Sequence, residues 1–145
     1  MARKRSKAQD NGCPCGSGKL ADDCCLPVIA GTRPAANPEA LMRSRYTAYT
    51  LAETDYLLAS WDTSTRPARL ELDEAQRWLG LKILGTEGGG TEDFEGTVEF
   101  VARYKLAGRG YRLHEISRFR RTPTGWRYLE GKRGATDSST AAGSP

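Results

Sequence analysis

Long apolar runs are missing from this sequence. The longest, such as "YLLASW" and "WLGLKIL", fall far short of the ~20 residues that span a bilayer, and no cleavable signal precedes them. The reading is a soluble, cytoplasmic protein with no membrane partner. Also missing are a Gly-rich phosphate loop, a Ser/His/Asp nucleophile set and a second cluster of metal ligands. "GTEGGGTE" has consecutive glycines but neither GxGxxG nor GxxxxGK[ST], and it reads as a hairpin loop. Histidine occurs once, as His114. On a strand His114 and Glu115 point to opposite faces and cannot act together, so His114 is expected to be a half-buried sheet residue.

A strong charge of either sign is lacking as well. The formal net charge is +4 and the pI about 9.0, and the excess sits in "ARKRSKAQD", where Arg3, Lys4, Arg5 and Lys7 face only Asp10. Four such charges give weak, salt-sensitive contact with nucleic acid, so that partner is the weakest candidate. What remains is a chain of 145 residues, long enough for one compact domain and a small appendage. Composition divides it into a basic flexible arm over 1–11, a cysteine knuckle over 12–27, a linker over 28–37, an α+β body over 38–132 and a polar, disordered tail over 133–145.

In the body, Asn37 before Pro38 and Glu39 is a helix start, with apolar Leu41, Met42, Tyr46 and Tyr49 at helical spacing as far as about Leu51. Thr54 and Asp55 open a short second helix ending near Trp61, and "ARLELDEAQRW" reads as a third by propensity. From Trp78 the period becomes two. Four antiparallel strands are expected, separated by "GTEGGGTE", "AGRG" and "TPTG". Val98, Phe100, Ala102 and Tyr104 share one face of the second strand, and Leu113, Glu115, Ser117 and Phe119 share one face of the third. Helices on a curved four-stranded sheet would enclose a pocket with Arg43, Arg45, Tyr46, Trp61, Glu115 and Ser117 as its candidate residues. A buried Glu115 needs a partner, and Arg43 or Arg45 is the expected one.

All four cysteines, Cys13, Cys15, Cys24 and Cys25, fall inside "CPCGSGKLADDCC". Disulfides are one reading, although a bridge between neighbours strains the backbone and a reducing compartment disfavours it. An iron–sulfur centre is another. Zinc is the third: four thiolates on two short chelating loops satisfy a tetrahedral ion and leave no open position, which makes a structural site.

"CPCGSGK" followed by "CC" resembles the SEC-C motif, the small zinc-binding module also found at the end of the SecA translocase. "LMRSRYTAYTLAETDYLLASWDTSTRP", "WLGLKIL", "VEFVARY", "HEISRF" and "WRYLEG" resemble the YchJ family, whose core is a nuclear transport factor two-like cone. The resemblance implies one zinc ion on Cys13, Cys15, Cys24 and Cys25, and a cone behind the knuckle. In SecA the basic module docks on the acidic SecB chaperone. Here "LADD" puts Asp22 and Asp23 where relatives are basic, so that docking is not carried over. "GATDSSTAAGSP" holds no cysteine, so a second C-terminal module is not expected. The resulting expectation is a zinc-binding, non-enzymatic adaptor with a protein partner. The alternative is a small-molecule binder or enzyme that uses the cone pocket.

Overall fold

A computed structural model describes residues 12–133; the basic arm and residues 134–145 of the tail lie outside the described residues. The elements in chain order are a 3-10 turn Ala21–Asp23, helices α1 (Cys25–Ala30), α2 (Pro38–Leu51) and α3 (Thr54–Ala59), and strands β1 (Arg77–Gly88), β2 (Glu95–Leu106), β3 (Arg109–Thr122) and β4 (Gly125–Arg133). The fold is α+β, with helices against one four-stranded antiparallel sheet of order β1-β2-β3-β4.

Helix α2 begins where Asn37 stops the extended chain. Its side chain accepts a hydrogen bond from the Ala40 N–H at 2.8 Å, which satisfies a donor the first helical turn cannot pair internally. Leu41, Met42 and Tyr46 are buried on the face toward the sheet. Covering a side chain of this size stabilises the fold by about 1.5–3 kcal/mol. The sheet supplies the other half of the core through Val98, Phe100, Ala102 and Tyr104 from β2 and Leu113 and Phe119 from β3.

β2 and β3 pair without a shift from Glu95↔Arg120 to Leu106↔Arg109. Register shifts between Trp78 and Gly80, between Ile83 and Gly85, and between Arg118 and Phe119 interrupt the outer pairings. Such bulges increase local twist and bend the strand, so the sheet curls around α2. Past α3, Trp61 forms a parallel bridge with Tyr128, and Asp62 N–H donates to Tyr128 O at 2.7 Å.

Two expectations change. Residues 68–76 are not helical, and Arg77 and Trp78 open β1. In place of the expected helix, Asp73 Oδ1 accepts from Ala75 N–H and Asp73 O accepts from Gln76 N–H in a tight turn. Conversely, the chain after the cysteines is helical through Ala30, and Gly31, in the left-handed region at φ 85°, ends α1 by returning its N–H to Pro27 O and Val28 O.

Candidate metal centre

The first cysteine pair stands on a tight loop. Cys13 N–H donates to Lys19 O at 2.7 Å, and Gly16 N–H donates to Cys13 O at 3.0 Å. Gly16 adopts φ +80°, and a Cβ there would meet Leu81 O of β1 at 3.1 Å, so the loop both reverses direction and lies against the sheet. The second pair sits at the junction of the 3-10 turn and α1.

This folding brings the four sulfurs within 4.8 Å of one another. Cys15 Sγ lies 3.5 Å from Cys24 Sγ, which lies 3.8 Å from Cys25 Sγ. A disulfide needs about 2.05 Å, and all four cysteines are free. A tetrahedral centre with metal–sulfur bonds of about 2.3 Å has sulfur–sulfur edges of about 3.8 Å, so the cluster has dimensions suited to one metal ion. Cys13, Cys15 and Cys25 are buried and belong to the main core, while Cys24 is partly exposed. The knuckle is thus built into the same core as the helices and sheet.

The surroundings favour negative sulfur. Ser17 Oγ lies 3.1 Å from Cys24 Sγ, and Thr47 Oγ1 lies 3.6 Å from Cys13 Sγ. Arg43 Nη1 donates to Cys15 O at 2.7 Å and reaches Cys15 Sγ at 3.8 Å, while its Nε donates to Glu39 Oε2 at 3.0 Å. Burial alone would pull Arg43 down, but Glu39 and Cys15 outweigh it and hold the guanidinium charged. Among the sulfurs, hydrogen bonds from Cys13 and Cys25 push the Cys15 thiol far below its ordinary range against the cost of burial, with Ser17 and Cys24 assisting. The same contacts with Cys13 and Cys15, then burial, push Cys25 up; burial is the main reason Cys24 is raised. Without a cation among them, these sulfurs cannot all be thiolates at once. A metal ion bound there would supply that charge.

The candidate pocket residues fall into separate places. Arg43 belongs to the cysteine cluster, as above. Tyr46 is buried on α2, edge-on to Trp78 at 5.7 Å; burial pushes its phenol up, against a hydrogen bond with the Gly80 backbone. Arg45 is fully buried on α2, with Nη1 donating to Leu57 O at 2.8 Å and Ser60 Oγ at 2.6 Å. Its guanidinium lies 4.4 Å from the Tyr128 ring centroid and 4.9 Å from that of Trp61. Burial pulls Arg45 down, and Tyr49, Tyr128, Tyr56 and Glu115 offset part of this. Glu115 is buried and accepts from Ser117 Oγ at 3.0 Å. Arg45, Trp61, Glu115 and Ser117 therefore belong to the interior behind α2, and Arg43 does not. His114 Nε2 meets Glu99 Oε2 at 2.7 Å on the opposite sheet face.

The YchJ middle NTF2-like domain model matches residues 37–131. The chain belongs to the YchJ family. The UPF0225 protein of Chromobacterium violaceum is 47% identical to this YchJ chain over 131 residues, covering 88% of it and 97% of that protein. A UPF0225 protein of Streptomyces coelicolor is 47% identical over 120 residues, 83% of this chain and 94% of the other. Among solved structures, the solution structure of a SEC-C motif containing protein from Rhodopseudomonas palustris has a TM-score of 0.73 at 42% identity, covering 83% of this chain and 97% of that one. The crystal structure of a SEC-C motif containing protein from Psychrobacter arcticus shares the fold, with a TM-score of 0.69 at 22% identity, covering 94% and 88%. No described helix is long and apolar enough to cross a membrane.

The sulfur partners Ser17, Thr47 and Arg43 were not assigned from the sequence. Arg43 carries a signal in hindsight, because it stands four residues after Glu39 on one helix face, the spacing that lets a carboxylate aim an arginine.

Proposed function

We propose that Cys13, Cys15, Cys24 and Cys25 hold one zinc ion in a structural role, and that this YchJ-family chain is a non-enzymatic interaction module. The carrying observation is the cluster itself: four sulfurs at tetrahedral spacing, with every position filled by protein and hydroxyl and guanidinium donors around them. A zinc centre closed in this way has no place for substrate or activated water. Sulfur-only ligation and the likeness to the SEC-C motif containing protein of Rhodopseudomonas palustris support zinc over a harder ion.

Beside Cys24 lies a cleft of about 470 Å³ whose charged residues are Lys19, Asp23, Arg33, Glu39 and Arg43. Its mixed charge, with Asp22 and Asp23 on the adjoining turn, does not reproduce a basic surface for an acidic chaperone. A protein partner that docks here requires the knuckle in its folded form. Affinity recovery of partner proteins is expected with the wild-type chain and not with Cys24→Ser; equal recovery by both counts against the reading.

A small-molecule site is the second reading, favoured by one observation. Among the described residues, Arg45 Nε, Arg45 Nη2 and Trp61 Nε1 are buried donors with no hydrogen-bond partner, and buried donors are as a rule satisfied by protein, ordered water or a bound species. A thermal shift with small anionic metabolites that disappears in Arg45→Met and persists in Cys24→Ser supports this reading; the absence of any shift removes it.

A further inference from the structure

The four sulfurs of the cluster are not equally open to solvent. Cys13, Cys15 and Cys25 are buried, and Cys24 is partly exposed. The cleft of about 470 Å³ beside the knuckle is lined by Cys24, with three cations, Lys19, Arg33 and Arg43, against two acids, Asp23 and Glu39. Cys25 borders the same cleft but is 2% exposed, so a small solute there reaches Cys24 first. Partial exposure among cations separates a reactive cysteine from an inert buried one. In the zinc-bound state Cys24 is also a thiolate, because only the deprotonated sulfur ligates.

Cys24 has a second sulfur placed to complete an oxidation. Cys15 Sγ lies 3.5 Å away on the other chelating loop, so a disulfide requires the two sulfurs to approach by roughly 1.5 Å. Cys25 Sγ is 3.8 Å from Cys24 Sγ, and a bridge between chain neighbours strains the backbone. Neither Cys15 nor Cys24 is held in a regular element. Cys15 precedes Gly16, Ser17 and Gly18, and Cys24 stands between the 3-10 turn and α1. The approach therefore breaks no helix or sheet hydrogen bond.

We propose that Cys24 is an oxidation site for hydroperoxides, that Cys15 resolves it as a Cys15–Cys24 disulfide, and that this bridge disassembles the cluster. Cys24 Sγ attacks the terminal oxygen of the hydroperoxide: an S–O bond forms, the O–O bond breaks, and the alkoxide that leaves takes a proton from water. Cys15 Sγ then attacks the Cys24 sulfenic sulfur: the S–S bond forms, the S–O bond breaks, and the departing hydroxide takes a second proton. Two electrons pass from the two sulfurs to the hydroperoxide, and the products are a disulfide, an alcohol and water. Only Cys13 and Cys25 remain as thiolates, too few to hold a tetrahedral ion. The loss of the ion rests on the zinc reading above and makes the knuckle a redox-sensitive form of that module.

The test is titration of the zinc-loaded full chain with hydrogen peroxide. Zinc release is followed with a colorimetric chelator, and the disulfide is located by non-reducing peptide mapping. Zinc is expected to leave in step with a single Cys15–Cys24 bridge, complete near about one equivalent of peroxide per chain, and to rebind after dithiothreitol. Ala36, exposed at the same cleft, gives a variant that leaves the ligands intact. Ala36→Trp narrows the approach to Cys24 and is expected to keep its zinc while losing it to peroxide several-fold more slowly. A first bridge between any other pair overturns the proposal. So does zinc retained with all four thiols reduced in excess peroxide, or an Ala36→Trp chain oxidised as fast as wild type. A reduced chain that holds no zinc refutes the zinc reading, and the position of its first disulfide still decides whether Cys24 and Cys15 are the reacting pair.

Discussion

Gly131 on β4 sits where a side chain does not fit: a Cβ there would lie 1.8 Å from Glu115 Oε2. The buried carboxylate thus occupies space that the neighbouring strand leaves vacant, and overfilling it forces strain of about 1–3 kcal/mol. Gly131→Ala is expected to lose stability of that order in urea unfolding, and to lose clearly less in a Glu115→Ala background, because residues in contact are not additive. Asp62 is a second residue-scale case. Its carboxylate is 2% exposed and bonded to Arg120; the Ser64 hydroxyl, then the Ser64 N–H and Arg120, outweigh burial and hold it near a pKa of about 2. The folded value lies below the unfolded one, so its contribution is complete above pH ~4 and is lost as pH falls toward ~2. Thermal melts over that interval are expected to fall further for wild type than for Asp62→Asn; parallel falls would contradict this. The cysteine cluster itself was readable from the sequence, since all four thiols lie in one window. The partner of Arg43 was not, because pairing an arginine with a particular carboxylate or sulfur depends on which helix face meets which loop.

At the scale of elements, helix α2 and the four strands were legible because each carries a sustained pattern with a signal at its boundary. The Asn37–Pro38 start holds in the cap bond itself, and Asn37→Ala is expected to cost about 1 kcal/mol in denaturant unfolding. Residues 68–78 failed as a helix for a physical reason. Leu70 and Leu72 are two positions apart and cannot share a helical stripe, so propensity had no buried face to reinforce it; Asp73 instead closes a turn through its own side chain and carbonyl. Helix α1 was overlooked although "LPVIAG" holds a proline near its start and a glycine after its end, the asymmetry that marks a helix. Six residues give too short a period to stand out. The bulges at Leu79 and Leu84 were equally silent, yet they shape the curved sheet and leave Leu79 exposed.

At the scale of the whole molecule, the knuckle and the NTF2-like body share one hydrophobic core. Cys13, Cys15 and Cys25 are members of the cluster that includes Met42, Tyr46, Phe100 and Tyr104. Metal removal is therefore expected to weaken the entire fold: chelator should lower the Tm of the single transition followed by tryptophan fluorescence, since Trp61, Trp78 and Trp126 all lie in the body. A body transition unmoved by chelator would show that the knuckle is merely appended. Everything proposed for the cysteine cluster rests on what the four sulfurs bind. Native mass spectrometry of the full chain, before and after chelator, measures that directly. The account predicts one zinc ion per chain, lost on chelation and absent from Cys15→Ser/Cys24→Ser. A metal-free chain carrying disulfides, or a chain carrying iron and sulfide, would contradict it.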